Sequence, residues 1–306
     1  MDLYGQEREA RLLAAFLSRL EHRTVIDVGA ERGAFAEAML QAGADAVHVL
    51  EPEPDNVGFL SDRFGDDPRV AVHDCAASDV DGQLLLHRSA SPDGEPLPFG
   101  HTVLERSNTD EIAWYGAVGV PARSLASLVE SEEIPARVGV VKIDTEGHDF
   151  AVVSGMGGLD ADVVMVEHWT DLPHSLGVCP WSTNEMVSAL SARGFSHFAF
   201  VVHHREFVFL KWDDGDVQAG AMGNLVFLHD RVVTQLAFDV LDCASALAES
   251  AVELATVQAS AAAERMAVID ELRLDRDVQA KAAVDRLESI EALTRELQER
   301  ESATSP

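Results

Sequence analysis

The sequence predicts an α/β protein with a doubly wound, mostly parallel sheet, an antiparallel edge and a long C-terminal helical extension. Short apolar runs alternate with amphipathic stretches from about residue 7 to residue 193, which is the order expected for strands joined by helical crossovers. Three further apolar runs follow with little chain between them, which favours antiparallel pairing at one edge of the sheet. After residue 230 the composition turns to that of a helix.

The individual helices and strands are predicted from the spacing of apolar residues and from the turn and capping residues that end each element. We predict helices over 7–20, 35–41, 54–64, 122–131, 149–155 and 183–193. We predict strands over 24–29 with its closing turn, 46–51, 70–74, 83–87, 138–144, 163–167, 195–202, 206–211 and 225–228. Residues 87–120 are irregular and rich in Ser, Pro, Gly and Asp, so we expect a loop or cap over the active site there.

Two domains are predicted, over residues 1–230 and 231–306. No glycine follows Gly223, and apolar residues of the extension recur at steps of three and four. A helix of about 65 residues would be roughly 100 Å long, too long to pack on one small domain, so we expect a coiled coil or a helical hairpin. The extension would then form a homo-oligomer or dock a partner. A charged helix in solvent is the alternative.

Bulk composition limits the classes of partner. The net charge is −30, so the surface repels phosphate backbones and anionic lipids, and we expect neither nucleic-acid binding nor membrane insertion. Three cysteines, Cys75, Cys179 and Cys243, are far apart, which argues against disulfides and zinc. The charged N-terminal segment does not resemble a signal peptide, so a cytoplasmic location is expected.

Acidic side chains end five of the predicted strands. The carboxyl ends of parallel strands meet at one edge of a sheet, where ligands of this fold class bind, so these acids should lie near one another. The five are Asp27, Glu51, Asp74, Asp144 and Glu167.

The turn after the first strand indicates which ligand binds. Gly29 and Gly33 let the backbone pass close to a ligand, but Glu31 takes the place of the middle glycine in the dinucleotide fingerprint. A carboxylate there repels a pyrophosphate, which disfavours NAD and suits an adenosine without phosphates, such as S-adenosylmethionine. Glu51 would accept hydrogen bonds from the ribose hydroxyls and Asp74 from the adenine amino group. The predicted cofactor-binding residues are Asp27, Gly29, Ala30, Gly33, Glu51, Pro52, Asp74, Cys75, Ala76 and Asp144.

Further motifs extend this pattern over roughly residues 24–230. They are Val25–Ala30 with Gly33, Glu51–Pro54 with Asn56, Ala77–Asp79, Arg123–Leu125 with Leu128, Val141–Asp149, Gly155, and Val166–Glu167. In these residues the sequence resembles the FkbM-type methyltransferase family. The resemblance implies a class I, Rossmann-like fold, S-adenosylmethionine as cofactor, and O-methylation of a sugar, polysaccharide or natural product. Glu31, Arg32 and His148 depart from the family pattern.

The chemistry is expected at the end of the fourth buried strand. Methyl transfer to a hydroxyl needs alignment and a general base, for which Asp144 and His148 are candidates. We expect Glu146 to hold backbone amides of the turn. Lys142 lies in an apolar strand, so its ammonium should pair with a carboxylate.

No metal is predicted. Asp144, Glu167 and His168 offer ligand atoms for Mg²⁺, but the sequence contains no recognised metal-ligand spacing. The alternative to an enzyme is a non-catalytic nucleoside-binding scaffold that acts through its C-terminal coiled coil.

Overall fold

The computed structural model describes residues 6–108, 112–169, 171–172, 177–203, 208–211, 222–233 and 236. Its helices are α1 (Gln6–Leu17), α2 (Ala34–Gln41), α3 (Pro54–Phe64), α4 (Leu125–Glu130), α5 (Asp149–Ser154) and α6 (Thr183–Ser191). Its first strands are β1 (Thr24–Val28), β2 (Ala46–Glu51), β3 (Val70–Asp74), β4 (Ala76–Ser78), β5 (Gly82–Ala90), β6 (Ala113–Ser124) and β7 (Arg137–Ile143). The remaining strands are β8 (Asp160–Trp169), β9 (Asp171–Leu172), β10 (Gly177–Val178), β11 (His197–His203), β12 (Val208–Lys211) and β13 (Met222–Leu228).

Eight strands form the main sheet, in the order β12-β11-β13-β8-β7-β1-β2-β3. The five strands from β8 to β3 are parallel to one another. β13 runs antiparallel beside β8, and β11 and β12 continue the antiparallel edge. The predicted mostly parallel sheet with an antiparallel edge is therefore confirmed.

Helices cover both faces of this sheet, as the strand–helix alternation predicts. Alternate residues of β1 go to opposite faces, so Ile26 packs in one hydrophobic cluster and Val25 in the other. The first cluster takes apolar residues from α4, α5 and α6. The second takes them from α1, α2 and α3. Because both faces of the central strands are buried, loops at the strand ends are the places where polar groups can meet a ligand.

The region predicted as an irregular loop, residues 87–120, contains most of the twelve-residue strand β6. β5 and β6 pair antiparallel, and β4 adds in parallel to β6, which gives a second sheet of three strands. The prediction of a loop through residue 120 was wrong beyond residue 112, and the helix expected from residue 122 begins at Leu125. Gly116, Gly119 and Pro121 interrupt the apolar pattern of β6, and residues of these types usually mark turns.

All of the described residues belong to one compact unit, which ends at Ala248. Apart from residues 231–233 and 236, the predicted extension over 231–306 lies outside the described residues. The coiled coil, its role in oligomerisation or partner docking, and the boundary at residue 230 therefore stay predictions. Within the described part of the chain, no helix combines the length and the apolar character that crossing a bilayer requires.

Candidate active site

A cavity of about 700 Å³ opens at the carboxyl ends of the parallel strands. Its volume lies within the range of about 300–1,000 Å³ that is typical of small-molecule sites. Val28 and Glu51 line it from the ends of β1 and β2, and Asp144 lines it just after β7. Glu167 lines it from β8. Three of the five strand-end acids predicted to converge therefore do so.

The turn after β1 is fixed by close backbone contacts. Gly29 has a φ of 71°, and a Cβ atom placed on it would lie 1.8 Å from the carbonyl oxygen of Asp144. Its amide donates to Leu50 (3.0 Å), while the Asp144 amide donates to Val28 (3.1 Å). Gly29 therefore lets the turns after β1 and β7 meet without a side chain between them.

Substitution of Gly29 by alanine is expected to lower the free energy of unfolding by about 3 kcal/mol, because it adds a left-handed backbone penalty to a clash with backbone. Denaturant unfolding measures the change. Gly58→Ala is the matched control, since nothing lies within 4 Å of the added Cβ in the middle of α3. The control should leave stability unchanged or raise it by about 0.5–1 kcal/mol. Equal effects of the two substitutions would contradict the explanation that Gly29 is required because its backbone touches that of Asp144.

Glu51 is held by backbone amides at the cavity edge. Its Oε2 accepts from the amide of Glu31 (2.8 Å) and its Oε1 from the amide of Glu53 (2.9 Å). The side chain is buried, and this burial raises the pKa of Glu51 to about 7 despite the two amide donors. Glu31 has a φ of 52°, a conformation that directs its amide to Glu51. The backbone amide of Glu31 is therefore already hydrogen-bonded to the carboxylate of Glu51.

Lys142 links two of the strand-end acids beneath the cavity. Its Nζ lies 3.3 Å from Oδ1 of Asp27 and 3.2 Å from Oδ2 of Asp144. It also donates to the carbonyl of Gly29 (3.0 Å). These carboxylates raise the pKa of the Lys142 ammonium although burial opposes the charge. The predicted pairing of Lys142 with a carboxylate is confirmed.

Asp149 organises the turn between β7 and α5. Its Oδ1 accepts from the amide (2.9 Å) and the hydroxyl (3.0 Å) of Thr145, and its Oδ2 accepts from the amide of Gly147 (3.1 Å). We expected Glu146 to hold these amides, and that expectation was wrong. Glu146 has a φ of 54°, and among the described residues its hydrogen bonds are those that its carbonyl accepts from the Thr102 hydroxyl and from Arg106.

Three carboxyl groups meet at the floor of the cavity. One oxygen from each of Asp144, Glu146 and Glu167 lies within 4.8 Å of the others. Burial, followed by repulsion from Asp144, raises the pKa of Glu146 to about 8 and that of Glu167 well above its ordinary value. His168, which the sequence offered as a ligand, is turned away: its Nε2 contacts the hydroxyl of Thr183 at 3.1 Å.

His148 lies beside this floor and lines the cavity. Its Nε2 is 3.0 Å from the hydroxyl of Ser78 on β4. Burial lowers the pKa of His148, so the ring is neutral at pH 7. A neutral imidazole can accept a proton from a ligand in the cavity.

The chain between β5 and β6 forms one wall of the cavity, as expected for a cap. Pro98, Phe99, His101, Thr102 and Val103 are among its lining residues. Two hydrogen bonds join the wall to α3 and to the turn after β7: Asn56 Nδ2 donates to the Pro98 carbonyl (2.9 Å), and the Thr102 hydroxyl donates to the Glu146 carbonyl (3.0 Å).

Comparison with known proteins decides the family. The model of the methyltransferase FkbM domain matches residues 27–196, which is more than half of the 306 residues. The chain belongs to the FkbM methyltransferase family. Its cofactor is therefore S-adenosylmethionine. The matched residues contain the turn after β1, Glu51, Lys142 and the turn from Asp144 to Asp149.

Two relatives of this FkbM methyltransferase share part of its sequence. Ribosomal RNA small subunit methyltransferase A from Synechococcus sp. (strain WH7803) is 39% identical over 71 residues, 23% of either chain. Hexuronic acid methyltransferase AglP from Haloferax volcanii is 28% identical over 156 residues, 51% of this chain and 58% of AglP. The matches thus span less than two thirds of either relative.

Among solved structures, magnesium protoporphyrin IX methyltransferase (ChlM) from Synechocystis PCC 6803, with bound SAM, is 11% identical to this FkbM methyltransferase. The TM-score is 0.41, and the match covers 74% of this chain and 80% of that one.

The FkbM methyltransferase brings only part of the predicted site to the cavity. Of the predicted cofactor-binding residues, those that line it are Gly29, Glu51, Pro52, Ala76 and Asp144. Asp144, Glu146 and His148, predicted as catalytic, all line it.

The other predicted cofactor-binding residues lie elsewhere. Asp27 is fully buried behind Lys142, while Ala30 and Cys75 pack in the two hydrophobic clusters. Gly33 precedes α2, where a Cβ would lie 2.4 Å from the Phe64 ring. Asp74 ends the edge strand and is exposed. Asn224 and most of the wall residues were not predicted. Long-range pairing brings such residues to the cavity, and their local sequence contains no binding motif.

Proposed function

We propose that this chain transfers a methyl group from S-adenosylmethionine to an oxygen atom of a sugar or a similar polyhydroxylated acceptor. One observation carries the proposal: the amide-bound carboxyl of Glu51 and the turn containing Asp144 and His148 open into the same cavity. On one side of the cavity, Glu51 can accept hydrogen bonds from a nucleoside. On the other side, Asp144 and His148 can act as acid–base groups.

The residues around Glu51 fit a nucleoside without phosphates. Glu51 keeps lone pairs beyond those that its two amide bonds use, and these can accept from ribose hydroxyls. The amide of Glu31, the position where a dinucleotide needs a free donor, is already bonded to Glu51. Gly29, Pro52 and Ala76 complete this side. When bound, S-adenosylmethionine supplies a methyl carbon that is activated by the adjoining sulfonium.

The cap side of the cavity fits a sugar. His101 and Ser91 present polar atoms, and Pro98, Phe99 and Val103 present apolar surface. A sugar ring offers the complementary combination of hydroxyl edges and apolar C–H faces. AglP, described as a hexuronic acid methyltransferase, adds support for an acceptor of this class.

His148 is our candidate general base. An acceptor hydroxyl loses its proton as its oxygen takes the methyl group, and His148 lines the cavity beside the acidic floor where that proton can be received. Asp144 is held by Lys142 and by the backbone contact with Val28, so it can orient the hydroxyl. Asp27 does not reach the cavity and acts as a positioning residue through Lys142.

Turnover with a panel of hexuronic acids and neutral sugars tests the function. The wild-type protein should produce S-adenosylhomocysteine with at least one acceptor, and NMR of the product should show a methyl ether or a methyl ester. His148→Gln should lower kcat about 10²–10⁴-fold while leaving the affinity for S-adenosylhomocysteine unchanged. His197→Gln, a partly exposed histidine on β11, is the control and should retain full activity.

The scaffold alternative gives the opposite result. A scaffold would bind S-adenosylhomocysteine but form no methylated product with any acceptor, and His148→Gln would then have no activity to reduce. Failure of the wild-type protein to bind S-adenosylhomocysteine would contradict both the enzyme and the scaffold.

A further inference from the structure

The three carboxyl groups on the cavity floor need a positive partner or shared protons. Asp144, Glu146 and Glu167 have oxygens within 4.8 Å of one another, from the end of β7, from the following turn and from β8. The ammonium of Lys142 faces them but is shared with Asp27, and the guanidinium of Arg106 attracts Glu146. Among the described residues, the carboxyls of this region outnumber the cations. Repulsion at such distances in a buried site is costly.

Two buried carboxyl oxygens of this floor, Oε2 of Glu146 and Oε2 of Glu167, have no hydrogen-bond partner among the described residues. Glu167 is 7% exposed, and its Oε2 has no hydrogen-bond partner among the described residues. Asn224 on β13 is 6% exposed, lines the cavity, and is the register partner of Glu167 across the antiparallel pair. The Cβ atoms of directly opposed residues lie about 5 Å apart on one face of a sheet, so the side chains of Asn224 and Glu167 start from neighbouring positions on the same face.

We propose that Asp144, Glu146, Glu167 and Asn224 form a binding site for one divalent cation of the Mg²⁺ and Mn²⁺ class. Every ligand atom in this set is an oxygen, which hard divalent cations prefer. The cation balances the surplus of carboxylates and satisfies the unpartnered oxygen of Glu167. His168 does not take part, because its ring contacts the Thr183 hydroxyl and packs against Trp181.

The cation gives the site its acceptor selectivity, and this step rests on the proposed methyl transfer. A cation on the cavity floor binds the acceptor hydroxyl and lowers the pKa of that hydroxyl, so its proton passes more readily to His148 as the oxygen takes the methyl group. The O–H bond breaks, the O–CH₃ bond forms, and the proton ends on the imidazole. A cation also prefers two neighbouring oxygens, so the favoured acceptors are vicinal diols and 2-hydroxy acids.

Titration of Mn²⁺ into the EDTA-treated full-length protein, followed by electron paramagnetic resonance, tests the site without requiring turnover. We expect one Mn²⁺ per chain, displaced by Mg²⁺. Glu167→Gln and Asn224→Leu should each weaken Mn²⁺ binding on the order of tenfold or more. Asn224→Asp keeps an oxygen ligand and should bind Mn²⁺ at least as tightly as the wild-type protein. Asp74→Asn removes an exposed acid outside the cavity and should leave binding unchanged.

The outcomes separate this proposal from the proposed function. Equal Mn²⁺ affinity in wild type, Glu167→Gln and Asn224→Leu overturns the cation site, as does a wild-type protein that binds S-adenosylhomocysteine but no Mn²⁺. In the second case the proposed function stands. If Glu167→Gln does not fold, the contrast between Asn224→Leu and Asn224→Asp decides. Loss of S-adenosylhomocysteine affinity in these variants without loss of Mn²⁺ affinity overturns the site, because the carboxyls would then serve the cofactor.

Discussion

Replacing Lys142 with methionine is expected to lower the free energy of unfolding by about 3–5 kcal/mol, because it leaves the fully buried carboxylate of Asp27 and the partly buried carboxylate of Asp144 without their shared cation. The methionine has a similar length and fills the same space, so the change removes charge and hydrogen bonds with little loss of packing. Asp27 is fully buried, so solvent cannot replace the ammonium there, whereas Asp144 is 23% exposed at the cavity. Denaturant unfolding at pH 7 measures the effect.

The matched control is Arg23→Met, which removes the cation of an exposed pair with Asp45. Both partners of that pair are open to solvent, so its loss should cost less than about 1 kcal/mol. A double variant, Lys142→Met with Asp27→Asn, should recover part of the lost stability, since it removes one of the two unpaired charges. If the two single substitutions cost the same, Lys142 is not a buried counter-ion.

The same substitution should impair the cofactor side of the cavity. Lys142 donates to the carbonyl of Gly29, and Gly29 lies against the backbone of Asp144. Loss of the ammonium therefore releases the turns after β1 and β7 together. Weaker binding of S-adenosylhomocysteine by the folded variant would show this link, and unaltered binding would show that the turns hold without Lys142.

The sequence predicts the main sheet well because its strands are buried on both faces. Runs such as Val25–Val28 and Val138–Ile143 contain mostly apolar residues, and each is followed by a turn residue or an acid. The acids at strand ends are local signals, and strand order then brings Glu51, Asp144 and Glu167 to one edge. Asp74 has the same local signal but ends the edge strand β3, where its side chain is open to solvent.

Long-range pairing produced the features that the sequence did not reveal. Asn224 reaches the cavity only because β13 inserts antiparallel beside β8, and its local sequence contains no binding motif. The amide-binding role was predicted for Glu146 rather than Asp149 for a different reason. Both are acids near the start of α5, but the positive φ of Glu146 leaves Asp149 to accept from the turn amides.

Glu51→Gln is expected to weaken the binding of S-adenosylhomocysteine on the order of 10–100-fold at pH 8, because hydrogen bonds to a charged acceptor are worth about 1.5–3 kcal/mol. Glutamine preserves the size of the side chain but has one acceptor oxygen and no charge. Isothermal titration calorimetry measures the affinity. The control is Asp55→Asn, which removes a charge from the nearby first turn of α3, where the side chain is 85% exposed.

The affinity for S-adenosylhomocysteine should depend on pH, because Glu51 changes its protonation state when the ligand binds. Burial raises its pKa from 4.5 to about 7 in the free protein, so the neutral form is favoured in the folded state. The stability that Glu51 contributes is therefore present below about pH 4.5 and is lost as the pH rises through 7. Ribose hydroxyls that donate to the carboxylate favour the ionised form, which reverses this preference when the ligand binds. Wild-type affinity should thus rise with pH up to about 7, by at most about tenfold per unit.

Binding below pH 7 should also release up to about one proton, which calorimetry detects in buffers of different ionisation enthalpy. Glu31, Glu146 and Glu167 also have raised pKa values and line the same cavity, so the wild-type curve alone does not isolate Glu51. The difference between wild type and Glu51→Gln does isolate Glu51, because both proteins retain the other three acids. If Glu51→Gln releases as many protons on binding as the wild-type protein, the ribose does not contact Glu51. If Glu51→Gln loses this proton release, the nucleoside binds to Glu51 at the end of β2.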